Sequence, residues 1–104
     1  MATTTKALAR TAAATTSTTL YTVPNTTTST VVTNIVISNT ATSASSATVA
    51  IDGINIVPTV ALAANSLFAL DIKQVIPANA TPKTITGFAS TTAVTFHISG
   101  VEIA

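Results

Sequence analysis

The 104-residue sequence contains no cysteine and no tryptophan, and only three glycines, one tyrosine and three phenylalanines. Without cysteine, neither a disulfide nor a thiolate metal site can form, and cysteine usage leaves the redox setting open. Charge is almost as scarce. Lys6, Arg10, Asp52, Asp71, Lys73, Lys83 and Glu102 are the seven charged side chains, 7% of the chain, where an average domain carries about 25%. A net charge of +1 offers no phosphate-neutralising face, and with so few rings to stack on bases, nucleic acid is not an expected partner. No stretch approaches the roughly 18 consecutive apolar residues of a membrane span. Ala7-Leu8-Ala9 gives way at once to Arg10 and Thr11, so a signal-peptide h-region and export by the general secretory route are not expected.

Threonine and serine supply much of the polarity, in tracts such as Thr15-Thr16-Ser17-Thr18-Thr19 and Thr26-Thr27-Thr28-Ser29-Thr30. Threonine is β-branched and suits pleated strands. Its hydroxyl also hydrogen-bonds at a surface without the desolvation cost of a buried charge. Few charges of either sign leave little colloidal repulsion, so part of this exterior is expected to be covered by neighbouring subunits. The length fits one domain with a modest core, burying about two thirds of the chain's surface and leaving roughly 5,000 Å² exposed.

Residues 1–19 are Ala/Thr-rich, carry Lys6 and Arg10, and show no period that would bury a face; they are expected to form an extended N-terminal arm. Residues 20–104 are expected to form the domain. Leu20–Val23 reads as a short strand closed by Pro24-Asn25. Thr28–Ser38 reads as a longer one, with Val31, Ile35 and Ile37 on one face and Val32, Asn34, Val36 and Ser38 on the other. Asn39–Ser46 is a loop by composition. Asp52-Gly53 between Val49/Ile51 and Ile54/Ile56 is the clearest hairpin signal, a type I′ turn, and Pro58 is expected to end the return strand. Val60–Ala64 fits a strand or a helical turn. Leu67–Ile72 alternates with Phe68, Leu70 and Ile72 inward, Gln74–Pro82 reads as a loop, and Lys83–Ala89 and Thr92–Ser99 close the domain with His97 outward. Gly100 marks a bulge before Val101-Glu102-Ile103. Seven or eight short strands without an amphipathic helix predict an all-β antiparallel β-sandwich or jelly roll.

Chemistry is hard to assemble from these residues. His97 is the single imidazole, no nucleophile-elbow motif accompanies it, and Asp52, Asp71 and Glu102 are the only carboxylates. Asp52 reads as a turn former. One histidine and no cysteine cannot build a tetrahedral metal site in one chain, though a trimer could bring three copies of His97 to its axis. The glycines are isolated, which excludes a phosphate loop. No catalytic residue, cofactor, metal or small-molecule substrate is expected. Asn25-Thr26-Thr27 and Asn79-Ala80-Thr81 match the glycosylation pattern by chance in a Thr-rich chain.

The segments Tyr21-Thr22-Val23-Pro24, Val31 to Thr40 (VVTNIVISNT), Leu70 to Ile76 (LDIKQVI) and His97 to Ile103 (HISGVEI) in that order resemble the small β-sandwich virion proteins of tailed bacteriophages, described as capsid decoration (cement) proteins or as tail and fibre components. The likeness covers Leu20 to Ile103. It departs where members often carry Gly-rich segments and an Ala-Gly-Asp turn and this chain has Pro77 to Pro82. The resemblance implies a non-enzymatic structural protein on the outer capsid surface, a symmetric oligomer such as a homotrimer, with the major capsid protein and copies of itself as partners. Lys6, Arg10 and His97 are the expected interface residues. A tail, neck or fibre position is the alternative. A carbohydrate-binding module would want an exposed aromatic platform, which Tyr21, Phe68, Phe88 and Phe96 do not readily provide.

Overall fold

A computed structural model describes residues 3–104. Eight strands form two four-stranded antiparallel sheets: β1 (Thr3–Ala12), β2 (Thr18–Thr22), β3 (Ser29–Asn39), β4 (Ser45–Ile51), β5 (Ile54–Leu62), β6 (Ser66–Ile76), β7 (Thr84–Ala89) and β8 (Val94–Ile103). The orders are β1-β8-β3-β6 and β2-β7-β4-β5. The first strand thus pairs with the last, the second with the seventh, the third with the sixth and the fourth with the fifth. Nested pairing shared between two facing sheets is the eight-stranded jelly roll. The fold class expected from the strand count is the one found, and the accessible surface of 5355 Å² agrees with the size rule.

Alternation builds the core. Ile35, Ile37, Phe96 and Ile98 from one sheet meet Val49, Val57, Leu62 and Ile85 from the other, all essentially inaccessible to water. Phe68, Leu70 and Ile72 of β6 pack against this cluster from the edge, as the alternation predicted. The β4–β5 turn has φ of 54° at Asp52 and 75° at Gly53, the two positive values a type I′ turn requires.

Four details differ from the sequence reading, each for a local reason. Thr3–Ala12, within the segment expected as an arm, is extended, but it is hydrogen-bonded along β8 as a sheet edge and buries Leu8 and Ala9; the boundary at residues 19/20 falls inside β2, and Met1 and Ala2 lie outside the described residues. Val32, not Val31, faces the core, because Thr33 is an extra residue relative to β8 and reverses the alternation. Pro58 does not end its strand. β5 lies at a sheet edge and runs on to Leu62 through register breaks, with Thr59 at φ 49°, an edge bulge being where proline is tolerated in a sheet. β6 continues to Ile76, three residues into the expected loop.

Gly100 lies at the level of these bulges without being the bulged residue. The extra residues are Leu8 in β1 and Thr33 in β3, with β6 lengthened further between Asp71 and Gln74. One step of β8, from Ser99 to Gly100, therefore spans two residues of β3 and three of β6, and such bulges bend and twist a sheet.

Candidate interaction surface

The expected interface residues fall on and beside β1 and β8. Arg10 is directly opposite His97 in the ladder, and the row continues through Val36 to Ala69. This row lies on the outer face of the β1-β8-β3-β6 sheet, because Phe96 and Ile98 on either side of His97 are buried. Thr95 Oγ1 is 3.5 Å from His97 Nε2. The next row holds Ala7, Ser99, Asn34 and Asp71. There Asn34 Nδ2 donates to Asp71 Oδ1 at 2.8 Å.

Lys6 and Arg10 both line a shallow depression of about 430 Å³ with Ala7, Thr33 and Ser99. The bulge at Leu8 turns the chain between the two cations, and only one of them is committed. Lys6 Nζ lies 3.4 Å from Glu102 Oε2, whereas Arg10 makes no salt bridge among the described residues.

Glu102 anchors a polar cluster between the sheets that sequence reading missed. Tyr21 Oη donates to its carboxylate and is also 2.9 Å from Thr30 Oγ1. Tyr21 and Thr30 are buried, and Glu102 keeps 13% of its side chain exposed. Burial, then the hydrogen bond to Glu102, pushes the Tyr21 hydroxyl up to about 12 from its usual 10, since both disfavour a phenolate. Tyr21 belongs to YTVP and Glu102 to HISGVEI, so two segments that carry the phage resemblance are joined by a hydrogen bond across 81 positions. Only pairing knowledge could have found it; neither segment points to the other.

The remaining carboxylates have separate partners. Asp52 Oδ1 faces Lys83 Nζ at 3.4 Å beside the hairpin turn, and Asp71 is held by Asn34. Among the described residues, no three His, Asp or Glu side chains gather to hold a metal ion, and no helix is long and apolar enough to cross a membrane. The asparagines of the glycosylation-like triplets form local turns: Asn25 Oδ1 accepts from the Thr27 amide, and Asn79 Oδ1 from the Thr81 amide.

At the opposite end, buried Asn39 ties together the β3–β4 and β5–β6 loops. Its Nδ2 lies within hydrogen-bonding distance of the Ser43, Leu62 and Ala63 carbonyls, while its Oδ1 accepts from the Ala41 amide and Ser45 hydroxyl. Between the β5 and β6 edges, a groove of about 270 Å³ is lined by Ile51, Ile54, Ile56, Gln74 and Val75.

No protein-family model matches this sequence, and no curated protein matches it. Solved structures do match the fold. Over 97% of its length the chain superposes on a chain of the T13 IBDV viral particle, with a TM-score of 0.50 and 12% identity. A chain of infectious bursal disease virus Gx strain gives 0.50 and 15% over the same share. This chain spans 30% and 31% of those chains. An exo-beta-1,3-galactanase from Phanerochaete chrysosporium superposes at only 0.43 with 14% identity, over 97% of this chain and 29% of its own. At such identities the likeness is one of fold: an all-β sandwich of the kind found in chains of virus particles.

Proposed function

We propose that this chain is a non-enzymatic structural protein of a virion, a decoration protein that docks on the outer capsid of a tailed bacteriophage as a symmetric oligomer, such as a trimer. The observation that carries the reading is the jelly-roll pairing, which superposes over 97% of the chain on chains of virus particles. Sequence resemblance to phage virion proteins supports the narrower assignment. Arg10, which makes no salt bridge among the described residues, and His97 present a cation and an imidazole on the β1–β8 flank of the outer sheet face, toward an acidic patch on the major capsid protein or a neighbouring copy. Lys6 supports that face through Glu102. Apolar and hydroxyl-rich contacts repeated over many copies turn modest single interactions into reinforcement of the shell.

Quantitative mass spectrometry of purified phage particles tests this. Many copies spread over the shell are expected. A few copies per particle would move the protein to the tail or neck, and absence from the particle would overturn the reading.

A further inference from the structure

The four sheet edges are unequally protected. β2 has 5 residues and a register break. β1 bulges at Leu8 and carries Lys6 and Arg10. β5 contains Pro58 and the positive-φ Thr59. Bulges, prolines and charges are the devices that stop an edge from templating another strand through its unpaired backbone groups. β6 is long, at 11 residues, contains neither proline nor glycine, and has no positive φ; its one irregularity is the extra residue it takes against β3 between Asp71 and Gln74, and its own exposed–half-buried alternation runs unbroken from Ser66 to Lys73. Leu67 and Val75 stand 62% and 60% exposed on it.

The charges of β6 are Asp71 and Lys73, both exposed, opposite in sign and two residues apart. Charges of one sign would repel a second copy of the same edge. An Asp-x-Lys pair instead complements itself when two copies run antiparallel, because a two-fold axis through Ile72 sets each Asp71 opposite the other copy's Lys73. Opposite charges directly across a strand pair stabilise it and like charges oppose it. In that register Ala69 also faces Val75 of the other copy. Asn34 already orients the Asp71 carboxylate through Oδ1, and Lys73 makes no salt bridge among the described residues.

We propose that β6 is a self-association edge, pairing antiparallel with β6 of a second copy about Ile72 and joining two four-stranded sheets into one of eight. The contact is isologous, so it doubles whatever unit the other surfaces build, and it does not depend on the virion reading.

Light scattering or sedimentation of the full chain tests it. The wild type is expected at an even multiple of 10.4 kDa. Lys73→Asp, which sets aspartates against each other, should halve that mass and weaken association at least about tenfold. The exchange Asp71→Lys with Lys73→Asp should restore it. A monomer or odd multiple for the wild type, an unchanged mass for Lys73→Asp, or no rescue by the exchange overturns the proposal. Should Lys73→Asp fail to fold, hydrogen exchange on the wild type decides: protection of β6 amides must rise with protein concentration, and concentration-independent protection rejects the pairing. Pairing of β6 only with a strand of another protein would also overturn it.

Discussion

Tyr21 couples proton binding to stability. Its hydroxyl is held near 12 in the folded chain against 10 when unfolded, so between those values the unfolded chain releases a proton that the folded chain keeps. Stability is therefore intact below pH 10 and lost as pH rises toward 12, by about 2–3 kcal/mol in total. Denaturant melts of wild type and Tyr21→Phe across this range check it: the variant should start about 1–2 kcal/mol lower, having lost its hydrogen bonds, and lack the Tyr21-dependent part of the alkaline decline. Gly100 sets a second constraint at this scale. A Cβ there would run into the Val31 carbonyl oxygen and crowd Leu8 Cδ1, backbone that cannot simply rotate away. Gly100→Ala should cost about 1–3 kcal/mol, read as a lower midpoint in the same melts.

Much of the element scale was legible because alternation and turn chemistry are local. Asp52-Gly53 announced its hairpin, and Phe68, Leu70 and Ile72 announced the inner face of β6. The failures were pairings. Thr33 reverses the alternation in β3 only because β8 beside it takes fewer residues, which no window of β3 discloses. Pro58 was misread because proline is excluded from central strands, and being at an edge is a property of the sheet order. β1 hid its role for a related reason: Leu8 and Ala9 face inward together across a bulge, so no period of two marks them. Of the expected surface residues, Arg10 and His97 meet because strands one and eight pair. The Tyr21–Glu102 link stayed illegible until those ladders were known. Removing residues 1–12 should therefore strip β8 of a neighbour and uncover what Leu8 covers, lowering stability by about 3 kcal/mol or more. A thermal melt followed by circular dichroism checks this, since a detached arm would leave the midpoint unmoved. Asn39→Ala should cost about 2–3 kcal/mol by leaving buried loop carbonyls and donors unpaired.

For the whole molecule, scarcity of charge is the property that organises the rest. Of seven charged residues, four are taken up in the Lys6–Glu102 and Lys83–Asp52 pairs, leaving Arg10 on one flank of the outer sheet and Asp71 and Lys73 on the other. The body is elongated, 45 by 22 by 18 Å, and its long sheet faces are clothed mainly in threonine, serine, alanine and valine. Such a surface suits contact with other protein more than isolation in water. Reversing Arg10 to Glu should accordingly lower occupancy on shells without changing the melting midpoint, because the side chain is exposed and makes no salt bridge among the described residues. Binding of labelled protein to purified shells measures it.

An electron cryomicroscopy map of the intact particle tests whether this chain decorates the outer shell. Density for the eight-stranded jelly roll is expected repeated over the outer shell, with the Arg10–His97 row turned toward a capsid subunit or another copy. A complete shell map with no such density, from particles made while the protein is expressed, would contradict that placement.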